Sequence, residues 1–248
     1  MEHSQTTVQV WENYWGELLR DDQTILYGFE NESPAHRQHK QVAIADNGAC
    51  FGFVASGNVC LQDEQVNWSL NAGQWFSVPT GFLLNLTKNS RVVVSQCLGY
   101  QGIHAMGGPI EAQGRLRYID GCSDTLLCAP PLLGDSCLNH LHFPAGIQQT
   151  PHTHPSLRAG IIAKGQGVCV ANQQTIPLST GGLFYIAKNT EHCFITDTST
   201  MDVIAYHPDS DWGPTHQSHP MVNRTLVEGH KIDNLAPQHQ AAAIIRGR

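Results

Sequence analysis

Long apolar runs are missing from this sequence of 248 residues. No stretch approaches the roughly 20 consecutive apolar residues that a membrane-crossing helix needs. The segment Met1 to Val10 shows neither the basic region nor the apolar core of a secretory signal, so a cytoplasmic location is expected. In that setting the sequons at Asn67, Asn85 and Asn223 carry no information. C-x-x-C pairs are missing too, although the chain has 8 cysteines, at 50, 60, 97, 122, 128, 137, 169 and 193. This excludes a zinc ribbon and a dithiol redox motif. In a reducing compartment such scattered cysteines behave as small buried hydrophobes. Basic runs are absent, and Lys+Arg number 14 against 21 Asp+Glu, for a net charge of -7. An acidic chain without a basic patch lacks the electrostatic footprint of a nucleic-acid binder. Charged residues are only 14% of the chain, yet there are 14 histidines. They cluster at 140, 142, 152 and 154, and again at 207, 216 and 219. Clustered histidine points to metal chemistry.

The chain repeats itself. Ala-Ser-Gly57-Asn matches Ala-Lys-Gly165-Gln, and Gly73 before Trp-Phe-Ser-Val matches Gly181 before Leu-Phe-Tyr-Ile. Both glycine pairs are displaced by 108 positions (165 − 57 and 181 − 73), and 15 residues lie between Gly57 and Gly73 as between Gly165 and Gly181. Ser90–Ser95 and Thr198–Val203 fall in register at the same offset. Three anchors at one offset indicate a tandem duplication. The halves lie near residues 35–105 and 135–208.

The local pattern is β throughout. Short runs at Gly52–Ala55, Arg91–Ser95, Gly160–Ala163, Val168–Ala171, Leu183–Ile186 and Asp202–Ala205 are bounded by Gly, Pro, Asn or Asp. Strands of this length at regular spacing predict an all-β sandwich or barrel. One short helix is predicted at Val8–Leu19, where Val8, Trp11, Trp15 and Leu18/Leu19 form a stripe. The Gly- and Pro-rich segment 102–134 should join the halves. The tail from His207 reads as irregular, with a short helix at Gln238–Ile245.

Three histidines occur where a metal would need them. His152 and His154 are two apart, so on a strand both side chains face one way. His192 arrives from a later strand. Neutral imidazoles in such a set suit Fe, Zn, Ni, Cu or Mn and leave positions for water or substrate. As an alternative, His152 and His154 are surface residues flanking a proline-rich turn.

The spacing resembles the cupin family. Gly146, five residues, His152-Thr-His154, three residues, Arg158, six residues and Gly165 follow the first cupin motif. Gly181, five residues, Ala187-Lys-Asn189, two residues and His192 follow the second. The resemblance covers residues 138–208 and reaches the first half through the repeat. It implies two tandem jelly-roll barrels: 1–110 with the leading helix, a linker at 111–134, and 135–248 with the tail. It also implies a divalent metal on His152, His154 and His192, Fe(II) first, with Zn, Ni or Mn as alternatives. The family's Glu position holds Arg158, and its Pro and Gly positions hold Ala187 and Asn189. In the first half the four ligand positions hold Ile44, Asp46, Cys50 and Leu84, so that barrel is expected to be structural. Gly73, Pro79 and Gly81 nevertheless keep the turn of the second motif there.

Other residues have two readings each. His140 and His142 share one strand face and serve either as acid/base groups or extra ligands at the metal, or as hydrogen-bonded core histidines. Arg158 has the parity of His154. It either offers a fork to a substrate carboxylate or forms an internal ion pair. His216 and His219 are weaker ligand candidates. Cys193 has the parity opposite to His192, and one of Phe184 and Tyr185 should line the cavity. The function expected is a dioxygenase-type enzyme acting on a small, anionic organic acid or dicarbonyl. A metal-dependent lyase or isomerase, and a non-catalytic binding barrel, are the alternatives. Because open sheet edges are a liability, the barrels should pack together, and a homodimer is a further expectation.

Overall fold

The computed structural model describes residues 7–31, 39–132, 134–209, 226–227 and 230–231. Among these, the sole helical element is the 3-10 turn Ile119–Gly121. Every strand pairing is antiparallel.

Three sheets carry the architecture. A six-stranded sheet runs in the order Ala105–Gly107, Trp75–Val78, Cys50–Ser56, Arg91–Cys97, Thr24–Glu30, Trp15–Arg20. A four-stranded sheet has the order His39–Ile44, Phe82–Thr87, Asn58–Gln62, Asn67–Asn71. The nine-stranded sheet runs Val8–Trp11, Leu183–Ile186, Arg158–Ala171, Met201–His207, Cys137–Phe143, Ser123–Cys128, Leu116–Arg117. Gln174–Ser179 and His192–Ile195 pair with the far part of the long strand Arg158–Ala171.

The repeat noted in the sequence has a backbone counterpart. Trp75–Val78 and Leu183–Ile186 are strands displaced by 108 residues (183 − 75 and 186 − 78). Gly73 donates its N–H to Val54 O, and Gly181 to Ile162 O, both at 2.8 Å, again 108 residues apart (162 − 54). Gly57 and Gly165 have φ 68° and 78°, and Gly73 and Gly181 have φ 85° and 89°. Only glycine takes such angles without a Cβ penalty, so the same residue recurs where the same bend recurs. Gly165 is a bend inside the strand Arg158–Ala171. The hairpin falls at Asn172-Gln173, whose φ angles of 48° and 63° make a two-residue turn of the kind that matches strand twist.

Two expectations are corrected. Val8–Leu19 is not a helix but two strands, Val8–Trp11 and Trp15–Arg20. Val8–Trp11 adds to the edge of Leu183–Ile186, where Val8 and Val10 pack on one core and Trp11 on another. Gly16 at φ 108° could not continue a helix. Tertiary pairing here overrides a weak helical stripe. Within 111–134, expected as a linker, Leu116–Arg117 and Ser123–Cys128 are strands of the nine-stranded sheet. The stretch Gln238–Ile245, with its expected helix, lies outside the described residues.

Three cores follow. Ile44, Leu61, Leu84, Leu86, Phe76 and Phe82 fill the interior formed by the first half. A second core lies between sheets and joins Leu26, Phe51, Phe53 and Val93 to Leu138, Ile161, Ile204 and Tyr206. The third lies on the other face of the nine-stranded sheet, with Leu141, Phe143, Phe184, Ile186, Phe194, Val203 and Ala205. Alternation along each strand divides these residues between the two faces, and the three histidines open off the third core.

Candidate metal centre

Backbone pairing brings His152 and His192 together. Each donates its N–H to the other's carbonyl at 3.0 Å, an isolated bridge between His152, which is in no strand, and the first residue of the strand His192–Ile195. The strand expected to carry His152 and His154 does not form there; regular pairing starts at Arg158. His154 is placed by the Asn189 N–H, which donates to its carbonyl at 2.7 Å. The ring centroids lie 4.9 Å (His152 to His154), 4.7 Å (His152 to His192) and 5.4 Å (His154 to His192) apart. One ligand atom from each ring lies within 4.8 Å of the other two.

Asn189 sits at the position where the resemblance to cupins leads one to expect glycine, and it has φ 60°. Asn tolerates the left-handed region better than other side chains. Asn189→Val should cost about 1–2 kcal/mol of stability, the penalty of that conformation for a side chain that lacks the local hydrogen bonding open to Asn. Asn189→Gly should be tolerated. Denaturant titration of both variants checks this; equal midpoints would contradict it.

The tautomers are set from outside. Nδ1 of His152 faces Thr150 O at 2.9 Å, and Nδ1 of His192 faces Thr190 O at 2.9 Å. A carbonyl only accepts, so both Nδ1 atoms carry hydrogen and both Nε2 lone pairs are left for a metal. Asp120 supports the first of these, because its Oδ2 accepts the Thr150 N–H at 2.6 Å. Burial, with the nearby Arg158 charge, pushes the His154 imidazole down to about 3. Burial likewise pushes His192 down to about 4. Both rings are therefore neutral at pH 7, the state that ligates. The donor set fits a divalent ion with affinity for imidazole nitrogen.

Around these rings the wall is apolar: Leu141, Phe184, Ile186, Phe194, Val203 and Ala205. Gln149 accepts the Phe194 N–H through Oε1 at 3.1 Å. The space at the rings is about 20 Å³, room for about one water molecule. It adjoins a cavity of about 410 Å³ that shares Tyr118, Leu141, His154, Arg158 and His207 with it. Among the described residues no carboxylate lines the smaller space.

Arg158 lines both spaces, as its parity suggested. One of its terminal nitrogens donates to Ser156 Oγ at 2.8 Å and to Leu157 O at 2.9 Å, which fixes the head. Phe184 lines the site while Tyr185 packs toward the inter-sheet core. Cys193 is buried and does not line the site.

His140 and His142 do not reach the centre, which corrects their reading as acid/base groups or ligands. They share a face of Cys137–Phe143, but Leu141 on the opposite face is the residue that meets the histidines. His140 Nε2 and His142 Nδ1 both donate to Asp202 Oδ1, at 2.9 and 2.8 Å. Burial works to raise the Asp202 carboxyl, and these two hydrogen bonds outweigh it, holding it below its usual range. The pair is a buried, hydrogen-bonded element of the core. His216 and His219 lie outside the described residues.

His207 belongs to the site, although the sequence reading assigned it to the tail. It ends the strand Met201–His207, and Val203, Ala205 and His207 share its inward face. Extending that alternation by two residues would have found it. In the first half, Ile44, Cys50 and Leu84 are all buried in core and Asp46 is exposed. Those positions have no convergent ligand set.

Residues 139–207 match the model of the cupin domain. No curated protein matches the sequence. The structure is similar to a cupin 2 conserved barrel domain protein from Leptotrichia buccalis, with 12% identity, 83% of this chain and 91% of that one covered, and a TM-score of 0.56. It is also similar to salicylate 1,2-dioxygenase from Pseudaminobacter salicylatoxidans (11% identity, 75% and 70% covered, TM-score 0.53). A form of that enzyme in complex with gentisate matches at 10% identity, 75% and 68% covered, and a TM-score of 0.51. At these identities the likeness is one of fold.

Proposed function

We propose that this chain is a metal-dependent, dioxygenase-type enzyme acting on a small organic acid or dicarbonyl, with one divalent ion, Fe(II) first, on His152, His154 and His192. We also read it as two tandem barrels, the first without a metal. The 108-residue correspondence of strands and glycine bends supports that reading. One observation carries the function. Three converging imidazoles stand beside a fixed cation, Arg158, in an apolar space that no described carboxylate lines. A divalent ion held by imidazoles alone brings positive charge that these ligands do not offset, which is costly in a water-poor site. A small anion completes the balance. The shared fold with salicylate 1,2-dioxygenase agrees with an acid as substrate.

When bound, such a metal supplies Lewis acidity and, for iron, the redox chemistry that dioxygen requires. The chain's own residues do the rest. The three rings hold the ion, with His152 and His192 oriented by Thr150 and Thr190. Phe184, Phe194 and Val203 exclude bulk water. Arg158, held by Ser156 and Leu157, orients the acid.

Oxygen uptake by Fe(II)-loaded protein, screened over small acids and their neutral amides, tests this. Uptake with an acid, absent with its amide, is expected. No uptake with any member of the panel would overturn the reading. Arg158→Lys should keep its metal but bind the acid more weakly by about 1.5–3 kcal/mol, the scale of a hydrogen bond to a charged group. A compact ammonium cannot present two parallel N–H groups to a carboxylate while also holding Ser156 and Leu157, as a planar guanidinium can. Unchanged affinity would contradict the role of Arg158.

A further inference from the structure

His207 stands where two spaces meet. It lines the small space at the three rings and also the adjoining cavity of about 410 Å³. Its ring centroid lies 6.3 Å from that of His154. It is nevertheless outside the converging set, which among the described residues is His152, His154 and His192. It therefore stands beside a ligand rather than among the ligands. Its backbone is fixed, since His207 pairs with Cys137 across adjacent strands. The side chain cannot drift far from the junction.

The chemistry at that junction is specific. Arg158 shares both spaces and brings a fixed positive charge. An imidazole brings one N–H donor and one acceptor. A ligand that reaches the three rings through the larger cavity, which Arg117 and Asp124 also line, passes these two groups last, because they line both spaces. A cation together with an N–H donor suits a carboxylate, which accepts at two oxygens. A neutral amide places its NH₂ where one of those oxygens should be.

We infer that His207 is a specificity-determining residue that recognises, together with Arg158, the carboxylate of a small acid whose other end faces the three-histidine set. The inference rests on the metal reading above and names the recognition element of that same site.

The probes are salicylate and salicylamide, which differ only at the carboxyl group. Binding is measured by calorimetry on full-length protein loaded with Zn(II), so that no turnover intervenes, with metal content determined in parallel. The wild type should prefer salicylate at least tenfold. His207→Leu should retain its metal and lose that preference tenfold or more. His207→Gln, which keeps an N–H donor, should recover part of it. Absence of a preference in the wild type would overturn the inference, and so would an unchanged preference in His207→Leu. Loss of metal in both variants would make His207 a ligand and also overturn it. A wild type that binds no metal would sink the underlying reading as well; one that binds metal but does not discriminate sinks this inference alone.

Discussion

His152→Ala and His192→Ala proteins should emerge from dialysis without stoichiometric metal. Each substitution removes one of three converging imidazoles. Two imidazoles do not hold a divalent ion against buffer. Losing a mere supporting hydrogen bond costs about 10–100-fold in metal affinity, and losing a ligand costs more. The substitutions should not unfold the chain, because the bridge between these residues is made by their backbones. Alanine keeps both of its hydrogen bonds. Removal of either ring leaves that backbone pairing in place, so the apo variants should keep the wild-type circular dichroism. Full metal occupancy in both variants would end the assignment.

Phe53→Ala should be the most damaging substitution outside the site. Phe53 is 1% exposed and lies in the core shared by the six- and nine-stranded sheets. It packs there with Phe51, whose ring lies 5.4 Å from that of Tyr206 in the other sheet. A large-to-small change of this kind loses transfer energy and leaves a cavity, for about 3–5 kcal/mol. Because residues of both sheets line that core, the loss should fall on both halves together. Calorimetry should show one transition at a lower temperature. Two separate transitions, or a cost under about 1 kcal/mol, would show that the sheets do not rely on this core.

Much of the fold was legible in the sequence because the strands are short and punctuated. Leu183–Ile186 matches its expected bounds, and the four glycines that defined the repeat all have positive φ. Gly160–Ala163 and Val168–Ala171 both form, but as two parts of one strand that bends at Gly165. No local signal distinguishes a bend in a strand from a break between strands. The leading helix failed for another reason. Val8–Trp11 is stabilised by pairing with Leu183–Ile186, a partner some 175 residues away in sequence (183 − 8). A window of a dozen residues holds no trace of that partner.

The site was legible where spacing carries it. His152, His154 and His192 converge even though two of the three are not on the strand expected, because the bridge and the Asn189 contact replace it. His140 and His142 show the limit. Alternation places them on one face but cannot name the face. The nine-stranded sheet is covered on both sides here, so Leu138 and Ile204 mark one face as apolar and Leu141 and Val203 mark the other. A sheet buried on both faces loses the polar–apolar contrast that would orient it. Parity was therefore right for the pair and silent on its direction. Asp202, which binds both rings, is 60 residues away from His142 and had no motif to announce it.

Elemental analysis of the wild-type chain, stripped with chelator, reloaded with Fe(II) under anaerobic conditions and desalted, tests the central claim most directly. One ion per chain is expected, because the His152, His154 and His192 set is complete while Ile44, Cys50 and Leu84 fill the matching positions of the first half with core. Zero retained metal, or two equally tight ions per chain, would contradict it.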